Sequence, residues 1–82
     1  MNETYFVANT QETEEGRIQS LFAYEDKESA LSAYHSTCAS NYESAKAKTL
    51  KSFAVALLNV KLYPEVRDVW AEPEPIPEPN ED

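Results

Sequence analysis

Glycine, cysteine, histidine, methionine and tryptophan each occur only once in these 82 residues. A single glycine, Gly16, excludes a glycine-rich loop that cradles phosphate. A single cysteine, Cys38, excludes an internal disulfide and fits a reducing compartment. One His and one Cys, with no ligand spacing elsewhere, leave no metal site, and no cofactor is expected. Bases are scarce, seven against fifteen acids, so the basic face needed to meet phosphates is missing and direct nucleic-acid binding is disfavoured. No apolar run approaches the roughly 20 residues that span a bilayer. Residues 1–10 lack the basic start and apolar run of a signal peptide. These absences predict a soluble, cytoplasmic protein with no membrane association.

The length predicts one domain, in which folding buries only roughly 60% of the surface the unfolded chain exposes. Charge is unevenly placed along it. Glu72, Glu74, Glu78, Glu81 and Asp82 carry −5 of the net −8, leaving −3 for residues 1–71. The last eleven residues, EPEPIPEPNED, hold four of the five prolines and no base. Proline removes ladder donors and breaks helices, so residues 72–82 are predicted to be an extended, disordered tail after a single domain over 1–71.

The clearest periodicity lies in residues 26–41, DKESALSAYHSTCASN. Ala30, Leu31, Tyr34, Cys38 and then Tyr42 recur at steps of three and four and trace one helix face. Asp26 is a suitable N-cap and Glu28 puts negative charge in the first turn. The helix is expected to fray between 41 and 45, with Lys46, Lys48 and Lys51 clustered beyond it. Residues 4–10 (TYFVANT) read as a first strand, 11–16 (QETEEG) as a hairpin loop, and 17–24 (RIQSLFAY) as a second strand with Ile18, Phe22 and Tyr24 on one side and Leu21 and Ala23 on the other. Residues 50–62, LKSFAVALLNVKL, are apolar on both faces, which predicts a central strand covered on two sides. A turn falls within 59–64. Residues 65–70 read as a last strand, although Val66, Val69 and Trp70 after Pro64 would also suit one helical turn.

The order β-β-α-β-β predicts an α+β fold, a four-stranded antiparallel sheet of order 2-1-3-4 with one helix on one face. The uncovered face would carry Leu21, Ala23, Ala54, Ala56 and Leu58, too apolar for water, unless sheet twist hides part of it. A second copy or a different protein should cover it, and Leu21, Ala54, Ala56 and Leu58 are the candidate self-association residues.

Glu12, Glu14 and Glu15 beside the hairpin tip, with Glu25, Asp26 and Glu28 at the helix start, would imitate a line of phosphates. An ordinary solvated loop and helix start is the plainer account. Phe6, Phe22 and Phe53 are expected in the core, whereas Tyr63 and Trp70, near the end of the sheet, are the interface candidates. His35 and Cys38 stand one helical turn apart, but no orienting third group or oxyanion site accompanies them, so no enzyme is expected.

The runs YFVANT and YEDKESALSAYHSTCAS, with the pattern A-L-x-x-Y-H at Ala30, Leu31, Tyr34 and His35, resemble small accessory proteins of phages and mobile elements of gut-type Firmicutes. The likeness covers about the first half of the chain. It implies a non-enzymatic protein of phage–host conflict, such as an anti-CRISPR inhibitor occupying a host nucleic-acid-binding protein. It supplies no functional residues.

Overall fold

Alternation of side chains across the first apolar run builds the centre of the molecule. In the computed structural model, which describes residues 4–73, β1 (Tyr5–Thr13) turns Tyr5 and Val7 inward, and both are buried. It pairs with β2 (Gly16–Tyr24) on one side and β3 (Ser52–Leu58) on the other, and β3 pairs with β4 (Pro64–Ala71). All pairings are antiparallel and the order is β2-β1-β3-β4, the predicted arrangement. α1 (Lys27–Lys46) crosses one face.

The hairpin between β1 and β2 is tighter than the polar run 11–16 suggests. β1 continues through Gln11, Glu12 and Thr13, leaving only Glu14 and Glu15 in the turn. The Thr13 hydroxyl accepts from the Glu15 amide at 3.1 Å and donates to the Gly16 carbonyl at 3.0 Å. Gly16 has φ +135°, a backbone that side-chain-bearing residues rarely adopt. Pairing holds these polar residues in the ladder, Gln11 and Glu12 with strands on both sides and Thr13 with β2 alone, and overrides their loop-like composition.

α1 starts where Asp26 predicts. The Ser29 amide donates to Asp26 Oδ1 at 2.7 Å, closing the N-cap. Lys27 pairs with Glu65 at 3.1 Å, tying the helix start to β4. The helix runs past the expected fraying zone to Lys46, because its end is itself built. Lys48, at φ 64°, donates to the Ala45 carbonyl, and Thr49 donates to Ser44, both at 3.0 Å. This paired ending satisfies two carbonyls left over by the helix.

Ala30, Tyr34 and Cys38 of α1 pack on Tyr5, Val7, Phe53, Val55 and Leu57, with Leu50 closing the bottom. β3 is central, as its two apolar faces predict, but only one of those faces is covered. The last segment is strand rather than helical turn, with Trp70 opposite Phe53 and Val66 opposite Leu57. Of the tail expected over residues 72–82, Glu72 is tied to the chain by its amide, which donates to the Lys51 carbonyl at 2.7 Å, and residues 74–82 lie outside the described residues.

Candidate functional site

Period two along four paired strands writes the uncovered face as four rows. The register places Ala23, Phe6, Leu58 and Pro64 in the first row and Leu21, Ala8, Ala56 and Arg67 in the second. Gln19, Thr10, Ala54 and Val69 form the third, and Arg17, Glu12, Ser52 and Ala71 the fourth. Leu21, Ala54, Ala56 and Leu58, the candidate self-association residues, thus share one surface. Leu21 is 56% exposed and Val69 62%.

The middle of this face is low because its side chains are small. Ala8, Thr10, Ala54 and Ala56 floor a hollow of about 230 Å³ with Leu58 and Val69 on its walls. Charge enters from the edge strands, and Arg67 of β4 is among the residues that line the hollow. Among the described residues Glu12 is the only acid on the open side of the sheet, and Arg17 engages it at 2.6 Å. Arg67, on the edge strand β4, forms no ion pair with a described residue. Ala8, Thr10 and Arg67 join the site without having been singled out in the sequence, and so do Phe6, expected in the core, and Val69, read there only as part of the last segment. The signal was present for β1, since Phe6 and Ala8 alternate with the buried Tyr5 and Val7. For β4 it was hidden by the competing helical pattern.

The aromatic candidates divide differently from expectation. Phe53 is core, but Phe6 lies half-exposed on the open face. Phe22 faces the helix side yet is 57% exposed, because β2 is an edge strand beyond the width that one helix covers. Trp70 also faces the helix side, half-buried and stacked on Phe53 with ring centres 5.9 Å apart. Tyr63 is exposed in the β3–β4 loop, at the opposite end of β4 from Trp70, so the two do not form one patch.

That loop is a second apolar projection. Asn59 Oδ1 accepts from the amides of Lys61 and Tyr63 at 2.9 and 3.1 Å, and the Leu62 amide donates to the Asn59 carbonyl at 2.8 Å. The loop presents Val60, Leu62 and Tyr63 to solvent, with Leu62 at φ 66°.

The two acidic clusters do not make one line. Glu14 and Glu15 are exposed at the β1–β2 turn, whereas Glu25, Asp26 and Glu28 follow the other end of β2. Eight strand steps separate these ends, roughly 26 Å. Lys46, Lys48 and Lys51 lie at the same end as the hairpin turn, where the Lys51 amide donates to the Glu12 carbonyl. Charge there is mixed.

The chain matches no family model, no curated protein and no solved structure.

Cys38 is buried, and the polar groups that act on its thiol are Tyr34 and Asp68, not His35. Burial pushes the thiol up from its ordinary value, Tyr34 lowers it by less than burial raises it, and nearby Asp68 adds a further rise. His35 is exposed, packed edge-on against the Tyr34 ring at 5.3 Å. Burial and the Cys38 contact raise Tyr34 to about 12. Tyr42 is also raised, chiefly by donating to Asp68 at 3.0 Å. A reactive thiol needs the reverse environment, one that favours the thiolate. Among the described residues no group of three His, Cys, Asp or Glu side chains is placed to hold a metal ion, and no helix is long and apolar enough to cross a membrane.

Proposed function

We propose that this protein is a cytoplasmic, non-catalytic protein-interaction module whose working surface is the open sheet face. One observation carries the reading. In a chain with a net charge of −8, an entire sheet face is apolar at its centre and, among the described residues, holds one acid, already paired. A face of that composition gains free energy by leaving water, and no part of the described chain covers it. The raised thiol of Cys38, set by burial with Tyr34 and Asp68 and not by His35, supports the non-catalytic half of the proposal.

The more specific form is an inhibitor of phage or mobile-element kind that occupies a host nucleic-acid-binding protein. It rests on the exposed Glu14 and Glu15 at the hairpin turn, since Glu12 is held by Arg17. The two parts separate by mutation. Capture of protein from lysate by the tagged chain is compared for wild type, Ala54→Glu, and the double reversal Glu14→Lys with Glu15→Lys, each first shown to keep its thermal midpoint. Loss with Ala54→Glu supports the sheet face as the working surface, and full capture by that variant removes it. Loss with the double reversal supports the acidic-turn inhibitor, and unaltered capture removes that form.

A further inference from the structure

We infer that the open face is covered by a second copy of this chain, the two related by a dyad that runs along the strands. The inference rests on the reading of that face as a protein-binding surface. A dyad in this direction lays β1 of one copy over β3 of the other, and β2 over β4, with rows kept in register. Phe6 then meets the partner's Leu58, Ala8 the partner's Ala56, and Thr10 the partner's Ala54, each contact occurring twice as an isologous interface requires. A dyad across the strands would instead set Phe6 over the partner's Glu12 and bury a charge under a ring.

Charge and shape fit the same arrangement. The positions on β1 and β3 that fall at its centre, Phe6, Ala8, Thr10, Leu58, Ala56 and Ala54, carry no charge. Arg17 and Gln19 stand on the edge strand β2 and Arg67 on the edge strand β4, where its stem lines the hollow and a dimer keeps the charged ends at a wet rim. Two chains of −8 each repel, and this surface, with its one acid neutralised, is where they approach at least cost. The low floor of alanines lets the two backbones come close while the larger Leu21, Phe6 and Leu58 fill in around it.

Size sets the strength expected. Four strands about 4.8 Å apart and seven residues deep at about 3.4 Å give a patch of roughly 500 Å² per copy. Roughly 1,000 Å² buried in total is the lower end for a specific interface, which predicts a reversible dimer at micromolar concentrations.

Sedimentation velocity from about 1 µM to about 1 mM, spanning that affinity range, tests this on the full chain. A dimer that forms with concentration is expected. Ala56→Glu lies beside Arg67 on the same face, so the monomer should fold normally by circular dichroism while dimerisation weakens at least tenfold. Ala8→Lys should do the same. Mixing these two variants should restore a heterodimer, because only the strand-parallel dyad sets position 56 over position 8. Rescue of Ala56→Glu by Ala54→Lys instead would overturn this dyad. A monomer at every concentration would overturn the second copy, as would a dimer that ignores Ala56→Glu. If that monomer still loses a different protein on Ala54→Glu, the docking surface stands and only its occupant is wrong.

Discussion

Among the described residues two that carry side chains sit in the left-handed region, Lys48 at φ 64° and Leu62 at φ 66°. For an L-residue this conformation costs roughly 1–2 kcal/mol, part of which glycine avoids. Lys48→Gly and Leu62→Gly should therefore each raise stability by about 1 kcal/mol, read as a higher urea midpoint at unchanged slope. The positions lie at opposite ends of the sheet, so the two gains should add. Tyr34 supplies a pH dependence. Its hydroxyl is raised in the folded protein from its ordinary value of 10.0 to about 12 by burial and by Cys38. The unfolded chain therefore ionises first. The stability linked to Tyr34 is fully present below about pH 10 and is lost as pH rises through about 12. Tyr42 is raised in the same direction, so Tyr34→Phe should make the alkaline limb of stability shallower without abolishing it. The buried thiol of Cys38 should alkylate slowly in the native protein at pH 8 and quickly once denaturant is added. Rapid native alkylation would reopen a catalytic reading.

At the scale of the elements, α1 is seated by a polar contact as much as by apolar packing. Asn41, 2% exposed, donates to Asn9 Oδ1 at 2.9 Å and accepts from Gln11 Nε2 at 2.7 Å. These bonds reach from the helix to alternate residues of β1, so they set where the helix lies along the sheet. Asn41→Leu leaves both partners without their bond and should cost about 1–3 kcal/mol in denaturant unfolding. A second comparison reads out the two faces of β3. Leu57 is fully buried beneath the helix, whereas its neighbour Leu58 points to the open side. Leu57→Ala should cost about 2–5 kcal/mol, enough to unfold much of a protein this small. Leu58→Ala, measured at low concentration where the chain is monomeric, should cost only a fraction of that. Equal losses would mean that something covers both faces of the monomer.

For the whole molecule, charge and burial act in opposite directions. The net −8 favours keeping copies apart, while the open face favours bringing them together. Salt separates the two, because it screens exposed charges beyond about 8 Å at physiological strength and leaves apolar burial intact. Self-association should tighten as salt rises from about 0.05 M to about 0.5 M, followed by sedimentation. Loosening with salt would show that opposite charges hold the copies together, contrary to a contact centred on alanines and leucines.

The sequence by itself determined the strand and helix order, because local periodicity carries it. Steps of three and four at Ala30, Tyr34 and Cys38, alternation around Val55 and Leu57, and the single capping acid Asp26 each act within a few residues. Antiparallel pairing and the 2-1-3-4 order follow from the connections, and so does the company of Leu21, Ala54, Ala56 and Leu58 on one face. Only the tertiary structure decided the rest. Gln11 to Thr13 are polar enough for a loop and became strand through pairing with β2 and, for Gln11 and Glu12, with β3 as well. Asn41 falls where an apolar residue would suit the helix face, and is buried because Asn9 and Gln11 of a distant strand bond to it. Trp70 and Tyr63 look alike as exposed anchors, yet one lies on Phe53 and the other at a loop tip, since a side chain's neighbours across the sheet are set by register. The width of the helix decided that Phe22 stays exposed on a covered face. Burial depends on what packs above a residue, and that partner is far away in the chain.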